Sequence, residues 1–112
     1  MAAERKPPLL QGSLDMLILQ SLKGESRHGY AICRHLKEVS RDFLHVEEGS
    51  LYPALHRMEQ RGWITSYWGA SETNRRAKYY ELSSQGRTQL KTEAEAWKQM
   101  STAINQVLGL QT

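Results

Sequence analysis

The segment from Glu48 to Ile64, EGSLYPALHRMEQRGWI, can fold in few ways. Leu51, Leu55 and Met58 recur at spacings of four and three, which is one apolar stripe along a helix. Pro53 restricts where that helix starts. In a helix interior proline costs about 3 kcal/mol, whereas in the first turn its missing N–H has no partner to lose. A start near Glu48 to Ser50 is therefore expected, with Pro53 inside the first turn. Gly62 stands where a left-handed residue ends a helix, and Trp63-Ile64 opens a strand-like run.

The segments on either side suggest a small helical domain. Leu14, Leu17, Ile18 and Leu22 predict a first helix from Gln11 to Lys23, with Ser13 as cap and Gly24 as stop. Ser26 is the expected cap of a second helix, in which Ile32, Leu36 and Val39 share a face. Phe43 to Val46 alternates weakly and predicts a short strand. Trp63–Trp68 and Lys78–Leu82 are aromatic and β-branched runs joined by GASETNRRA, so a hairpin follows the central helix. In it Tyr80 and Leu82 face one side and Tyr79 and Glu81 the other, with Arg75 and Arg76 at the tip.

The last segment is too long for this core. From Ser84 to Leu108, behind a capping Ser83, the residues Leu90, Ala94, Trp97, Ser101, Ile104 and Leu108 are spaced four, three, four, three, four. That is a heptad-type seam, flanked by Met100 and Val107. The helix would be about 38 Å long at 1.5 Å per residue. A compact chain of this size has a radius of gyration of about 13 Å. One subunit cannot bury the whole seam, and a homodimer is the simplest remedy. The expected fold is mainly α with a small β-hairpin: a flexible arm over residues 1–10, a winged helix-turn-helix over 11–83 and a C-terminal dimerisation helix over 84–112.

Composition narrows the function classes. The chain has 112 residues, a formal net charge of +3 and a pI near 9.2, compatible with nucleic acid without requiring it. The distribution of charge is more telling, because Arg75, Arg76 and Lys78 fall within four positions. A single cysteine, Cys33, excludes an internal disulfide framework and a Cys-rich zinc site. It lies among Ile32 and Leu36 and reads as a packing residue. No apolar span reaches 18 residues, and MAAERKPP is unlike a signal peptide, so no membrane partner and a cytoplasmic location are expected. His28, His35, His45 and His56 lack HExxH spacing, and no GxSxG elbow surrounds Ser50. No catalytic residue, metal or cofactor is expected.

The candidate contact residues lie off the buried stripe. Ser50, Tyr52, Pro53 and His56 share a helix face able to meet phosphates and base edges, and the helix start offers free N–H groups to a phosphate. Arg57 is assigned either to DNA or to a side-chain pair with a neighbour such as Glu59. Arg75, Arg76 and Lys78 are candidates for phosphate or minor-groove binding. Tyr30 opens the second helix, which in such folds lies against the DNA backbone. Along the tail seam, Leu90, Ala94, Trp97, Met100, Ser101, Ile104 and Leu108 are assigned to a dimer interface. Trp97 and Met100 are candidates for a pocket there that takes a small aromatic effector. The expected partner is double-stranded DNA carrying an inverted repeat. The alternative is a winged-helix module for protein–protein or RNA binding.

Several of these residues fall in a recognisable order. His28-Gly29-Tyr30, Gly49-Ser50-Leu51-Tyr52-Pro53-Ala54-Leu55, Glu59-Gln60-Arg61-Gly62, Arg75-Arg76-Ala77-Lys78-Tyr79-Tyr80-Glu81-Leu82, Ser83 and Gly86-Arg87 together resemble the PadR family of bacterial transcriptional regulators. The single C-terminal helix resembles its short subfamily. Ser83 stands where the family more often has threonine, and both cap helices well. The resemblance implies a dimeric repressor that binds a palindromic operator through the third helix and the wing, and that a small molecule releases.

Overall fold

The computed structural model describes residues 13–111. The arm expected over residues 1–10, and Gln11 at the start of the first helix, lie outside them. The element order is α1 (Ser13–Ser21), β1 (Arg27–His28), α2 (Gly29–Val39), α3 (Glu48–Gln60), β2 (Ile64–Ala70), β3 (Arg76–Leu82) and α4 (Ser84–Leu108). It is a winged helix-turn-helix with a long C-terminal helix, as expected from the sequence.

The first helix ends two residues early. Leu22 and Lys23 bond back to Leu19 and Gln20 three residues away, a tightened last turn before Gly24 at φ +85°. The next element was not expected. β1 pairs antiparallel with β3, placing Arg27 opposite Tyr80 and His28 opposite Tyr79, so the hairpin is the larger part of a three-stranded sheet ordered β1-β3-β2. This extension moves the cap of α2 from Ser26 to His28. His28 Nδ1 accepts from the Ala31 N–H at 3.1 Å, while the Ser26 hydroxyl shares a hydrogen bond with the Tyr67 hydroxyl at 2.8 Å.

The expected strand at Phe43–Val46 does not form. Arg41 and Asp42 adopt left-handed conformations at φ 54° and 67°, turning the chain after α2, and the Ser40 hydroxyl takes the Leu44 N–H at 2.9 Å. The link therefore runs without a strand neighbour.

The stripe of α3 is fully buried: Leu51 and Met58 at 0% exposure, Leu55 at 1%. Each such side chain contributes about 2 kcal/mol relative to an exposed one. Pro53 sits differently from the expectation. It is the sixth residue of a helix that starts at Glu48, so its missing N–H removes a bond to the Gly49 carbonyl. The buried stripe offsets that loss. The helix ends in a Schellman motif, with Trp63 N–H bonded to the Met58 carbonyl and Gly62 N–H, at φ +81°, to that of Glu59.

Seven register pairs join β2 to β3, from Ile64 opposite Leu82 to Ala70 opposite Arg76. Tyr80 and Leu82 point into the core, and Glu81 is exposed. The hairpin closes on Glu72-Thr73-Asn74: Asn74 N–H bonds to Ser71, Asn74 is left-handed at φ 62°, and Ser71 N–H bonds to the Arg75 carbonyl. That is a type I turn completed by a left-handed residue, the usual three-residue loop.

Ser83 caps α4, accepting the Gly86 N–H at 3.0 Å and donating to the Gly62 carbonyl at 2.6 Å. It thereby ties the start of α4 to the end of α3. Gly86 fits because a Cβ there would stand 2.0 Å from the Trp63 carbonyl oxygen. Leu90 joins Ile18, Leu19, Leu22 and Ile32 in the core. Beyond it α4 leaves the domain, and the Cα radius of gyration is 15.5 Å.

Candidate nucleic-acid interface

Ser50, Tyr52, Pro53 and His56 are exposed together on the face of α3 opposite its buried stripe. Tyr52 is fixed there by Gly29, where a Cβ would lie 2.5 Å from the Tyr52 hydroxyl. Glycine at the start of α2 thus lets the ring lie across the α2–α3 junction, and burial pushes its phenol up from the ordinary value. The start of α3 suits a phosphate less well than expected. Glu47 caps it without a side-chain bond and Glu48 follows, so two carboxylates already complement the helix dipole.

The wing supplies the cations. Arg75 follows the turn and is exposed. Arg76 lies over the Trp68 ring, 4.5 Å from its centroid, and the register explains why: Trp68 and Arg76 are diagonal neighbours on one face of the hairpin. Lys78, opposite Trp68, reaches Glu59 of α3 at 3.7 Å and lies 5.8 Å from the Tyr80 ring centroid. Glu59 also accepts from the Ser66 hydroxyl at 2.6 Å, so the wing is braced against α3. On its other face Tyr67 stacks on Tyr79, which meets His28 edge-on.

Between the wing and the starts of α2 and α3 runs an open groove of about 530 Å³, with Tyr30, Tyr52 and Trp68 in its walls and Arg34, Arg75 and Arg76 along them. Tyr30 is 59% exposed, with the Arg34 guanidinium over its ring at 5.5 Å. Glu72, at the wing tip, crosses the groove mouth. Its carboxylate accepts from His28 Nε2 at 3.1 Å and from Arg34 at 3.4 Å. Because His28 Nδ1 accepts from Ala31, the imidazole proton belongs on Nε2, facing Glu72. The Glu72 carboxyl is lowered to about 2, first by its own backbone N–H, then by His28 and Arg34.

Of the nine candidate contact residues, the fold gathers eight around this groove and the exposed face of α3. Arg57 is drawn elsewhere, into an ion pair with Asp15 of α1 rather than with Glu59. The sequence reading missed Arg34, Trp68 and Glu72. Trp68 was within reach, since its diagonal to Arg76 follows once the hairpin register is set. Arg34 and Glu72 meet only through tertiary folding, 38 positions apart. Along α4, Leu90 is buried, Ser101 is half-buried and donates to the Lys98 carbonyl, and Ala94, Trp97, Met100, Ile104 and Leu108 are exposed. Burial raises the Cys33 thiol, in keeping with packing. Among the described residues no helix is long and apolar enough to cross a membrane, and no group of three or more ligating side chains is placed to hold a metal.

Residues 18–92 match the model of the transcriptional regulator PadR-like family. The chain is also similar to solved structures. One, a PadR-like transcriptional regulator from Bacillus cereus, is 33% identical, with 88% of this chain and 94% of that one covered and a TM-score of 0.76. A PadR family transcription regulator from Clostridium difficile is 33% identical over 87% of this chain and 99% of that one, with a TM-score of 0.73. A transcriptional regulator from Clostridium thermocellum is 31% identical over 86% and 93%, with a TM-score of 0.77. With two thirds of its length inside the family model, and with the residues that carry the resemblance placed in the winged domain, this chain belongs to the PadR-like family of transcriptional regulators.

Proposed function

We propose that the protein is a homodimeric repressor that reads an inverted-repeat operator and is released by a small aromatic molecule. One observation carries the reading: Tyr52, on the exposed face of α3, and the cations of the wing line one groove, so a helix and a basic hairpin present themselves together. In this reading α3 enters a major groove, with Ser50, Tyr52, Pro53 and His56 against base edges and sugars. Pro53 offers an apolar contact to a thymine methyl group. Arg75 and Arg76 take phosphates or the adjacent minor groove, and Lys78 exchanges Glu59 for a phosphate.

The exposed seam of α4 supports pairing of two copies through Trp97, Ile104 and Leu108. A two-fold axis would then set two half-sites about 34 Å apart, one duplex turn, or a multiple of it. With three cations per subunit and six per dimer on phosphates, the logarithmic salt slope is about −5. Replacing Arg75 and Arg76 by alanine should flatten it by about 4 and weaken binding to every duplex. The duplex to use is one selected from a random pool by the wild-type protein. Unchanged affinity in that double variant, with an RNA or protein partner retained, would favour the alternative module.

Trp97 and Met100 lie one turn apart on the exposed seam, a soft and aromatic surface suited to a flat effector held between subunits. Such a ligand changes operator affinity only if it binds the two reading-head separations unequally. Quenching of Trp fluorescence by the ligand, lost in Trp97→Phe, tests this part; no quenching across a panel of flat aromatic compounds sinks it.

A further inference from the structure

Glu72 is placed where an anion belongs. Its carboxylate crosses from the wing tip to α2 and is held by two donors there, His28 Nε2 and the Arg34 guanidinium. The three-residue turn with left-handed Asn74 directs Glu72 back over the groove. Around it stand further cations and hydroxyls facing the same opening: Arg75 and Arg76 on the wing, Tyr30 and Tyr52 on the helices. Removing Glu72 would leave a groove mouth lined by cations, hydroxyls and His28, with no carboxylate among its described lining residues. A phosphodiester presents two anionic oxygens much as a carboxylate does, and accepts from the same guanidinium and imidazole N–H groups.

We propose that His28 and Arg34 form a phosphodiester seat which Glu72 of the wing fills in the free protein, so that a DNA backbone phosphate binds by displacing it. The seat rests on the DNA-binding reading above and adds to it two contact residues, Arg34 and His28, together with a built-in competitor. The Arg34 half of the contact is exposed, with Arg34 at 48% and Glu72 at 63% side-chain exposure, so it yields to a stronger anion, while His28 at 10% forms the inner wall of the seat. It also explains why the wing tip carries an acidic residue next to Arg75 and Arg76. The carboxylate holds the hairpin at the groove until a phosphate arrives.

The test is a double-mutant cycle on the full chain, read as duplex affinity by fluorescence anisotropy across a salt series. Glu72→Gln keeps the side chain's shape and should tighten binding about tenfold for a dimer, two exposed ion pairs being released. Arg34→Ala should weaken binding and flatten the salt slope by about 2 per dimer. In the Arg34→Ala background the gain from Glu72→Gln should fall to less than half, because part of what it frees is gone. His28 stays unaltered, since it caps α2. If Glu72→Gln leaves wild-type affinity unchanged, or brings the same gain with and without Arg34, the carboxylate acts by general repulsion or not at all and the seat is overturned. If the wild-type protein binds no duplex even at low salt, the DNA-binding reading fails first. Melting curves matching wild type confirm that the variants are folded.

Discussion

Two helices carry the same kind of apolar stripe and meet opposite fates. In α3, Leu51, Leu55 and Met58 vanish into the domain, each at 1% exposure or less. In α4, Leu90 does so at the first turns, but Trp97, Ile104 and Leu108 remain 42%, 45% and 64% exposed. Periodicity says that a face is to be covered; it does not say by what. The stripe of α3 is short enough for α1, α2 and the sheet to enclose it. That of α4 outruns the domain, and its uncovered apolar area is the driving force that the proposed pairing of two copies would draw on.

The comparison is broken most severely from the α3 side. Leu55→Ala should lower stability by about 3 kcal/mol, since a fully enclosed site relaxes little around the cavity. Urea denaturation at widely different protein concentrations should give the same decrement each time. A loss that shrinks on dilution would mean that α3 too depends on a second chain.

On the α4 side, Trp97→Ala combined with Ile104→Ala should barely alter the winged domain yet weaken self-association by about a hundredfold, the scale of losing a central aromatic anchor. Sedimentation equilibrium measures this. Unchanged association would place the pairing surface elsewhere.

The junction between the two helices sharpens the contrast. Ser83→Ala should cost about 1 kcal/mol, losing the cap of α4 and leaving the Gly62 carbonyl without its hydroxyl donor, while Ser83→Thr should restore most of it. Thermal melts of the three proteins decide. A Ser83→Ala protein that melts like wild type would show that the α3–α4 link is held by packing alone.

The smallest effect concerns the groove. The Glu72 carboxyl is depressed from 4.5 to about 2, so its contacts are complete above 4.5 and fade only as pH falls through about 2. Carboxyl chemical shifts followed by NMR should show a midpoint near 2. A midpoint at the ordinary value would mean that the bonds to His28 and Arg34 do not persist in solution.

Much of the architecture was legible from residue order. The stripe of α3, the Schellman end at Gly62, the cap at Ser83 and the sides taken by Tyr80 and Leu82 all follow from local periodicity and backbone preference. What local pattern misplaced or left open turned on the rest of the fold. Ser26 lost its capping role because β1 pairs with β3, an interaction no local pattern announces. Phe43–Val46 alternates like a strand, but the left-handed pair Arg41-Asp42 leaves it no neighbour. Pro53 lies deeper in its helix than its own cost favours, because burial of Leu51, Ala54 and Leu55 outweighs one missing bond. Arg57 found Asp15 on α1, 42 positions away.

Spacing and turn chemistry, which act within a few residues, were enough to determine which segments become helices, where α3 and α4 stop and which of their faces seek cover. Only the folded chain decided which charges meet: Glu72 with Arg34 and His28, Arg57 with Asp15, Lys78 with Glu59. Coulombic and hydrogen-bond partners are chosen by distance in space, and that distance exists only once the core has closed.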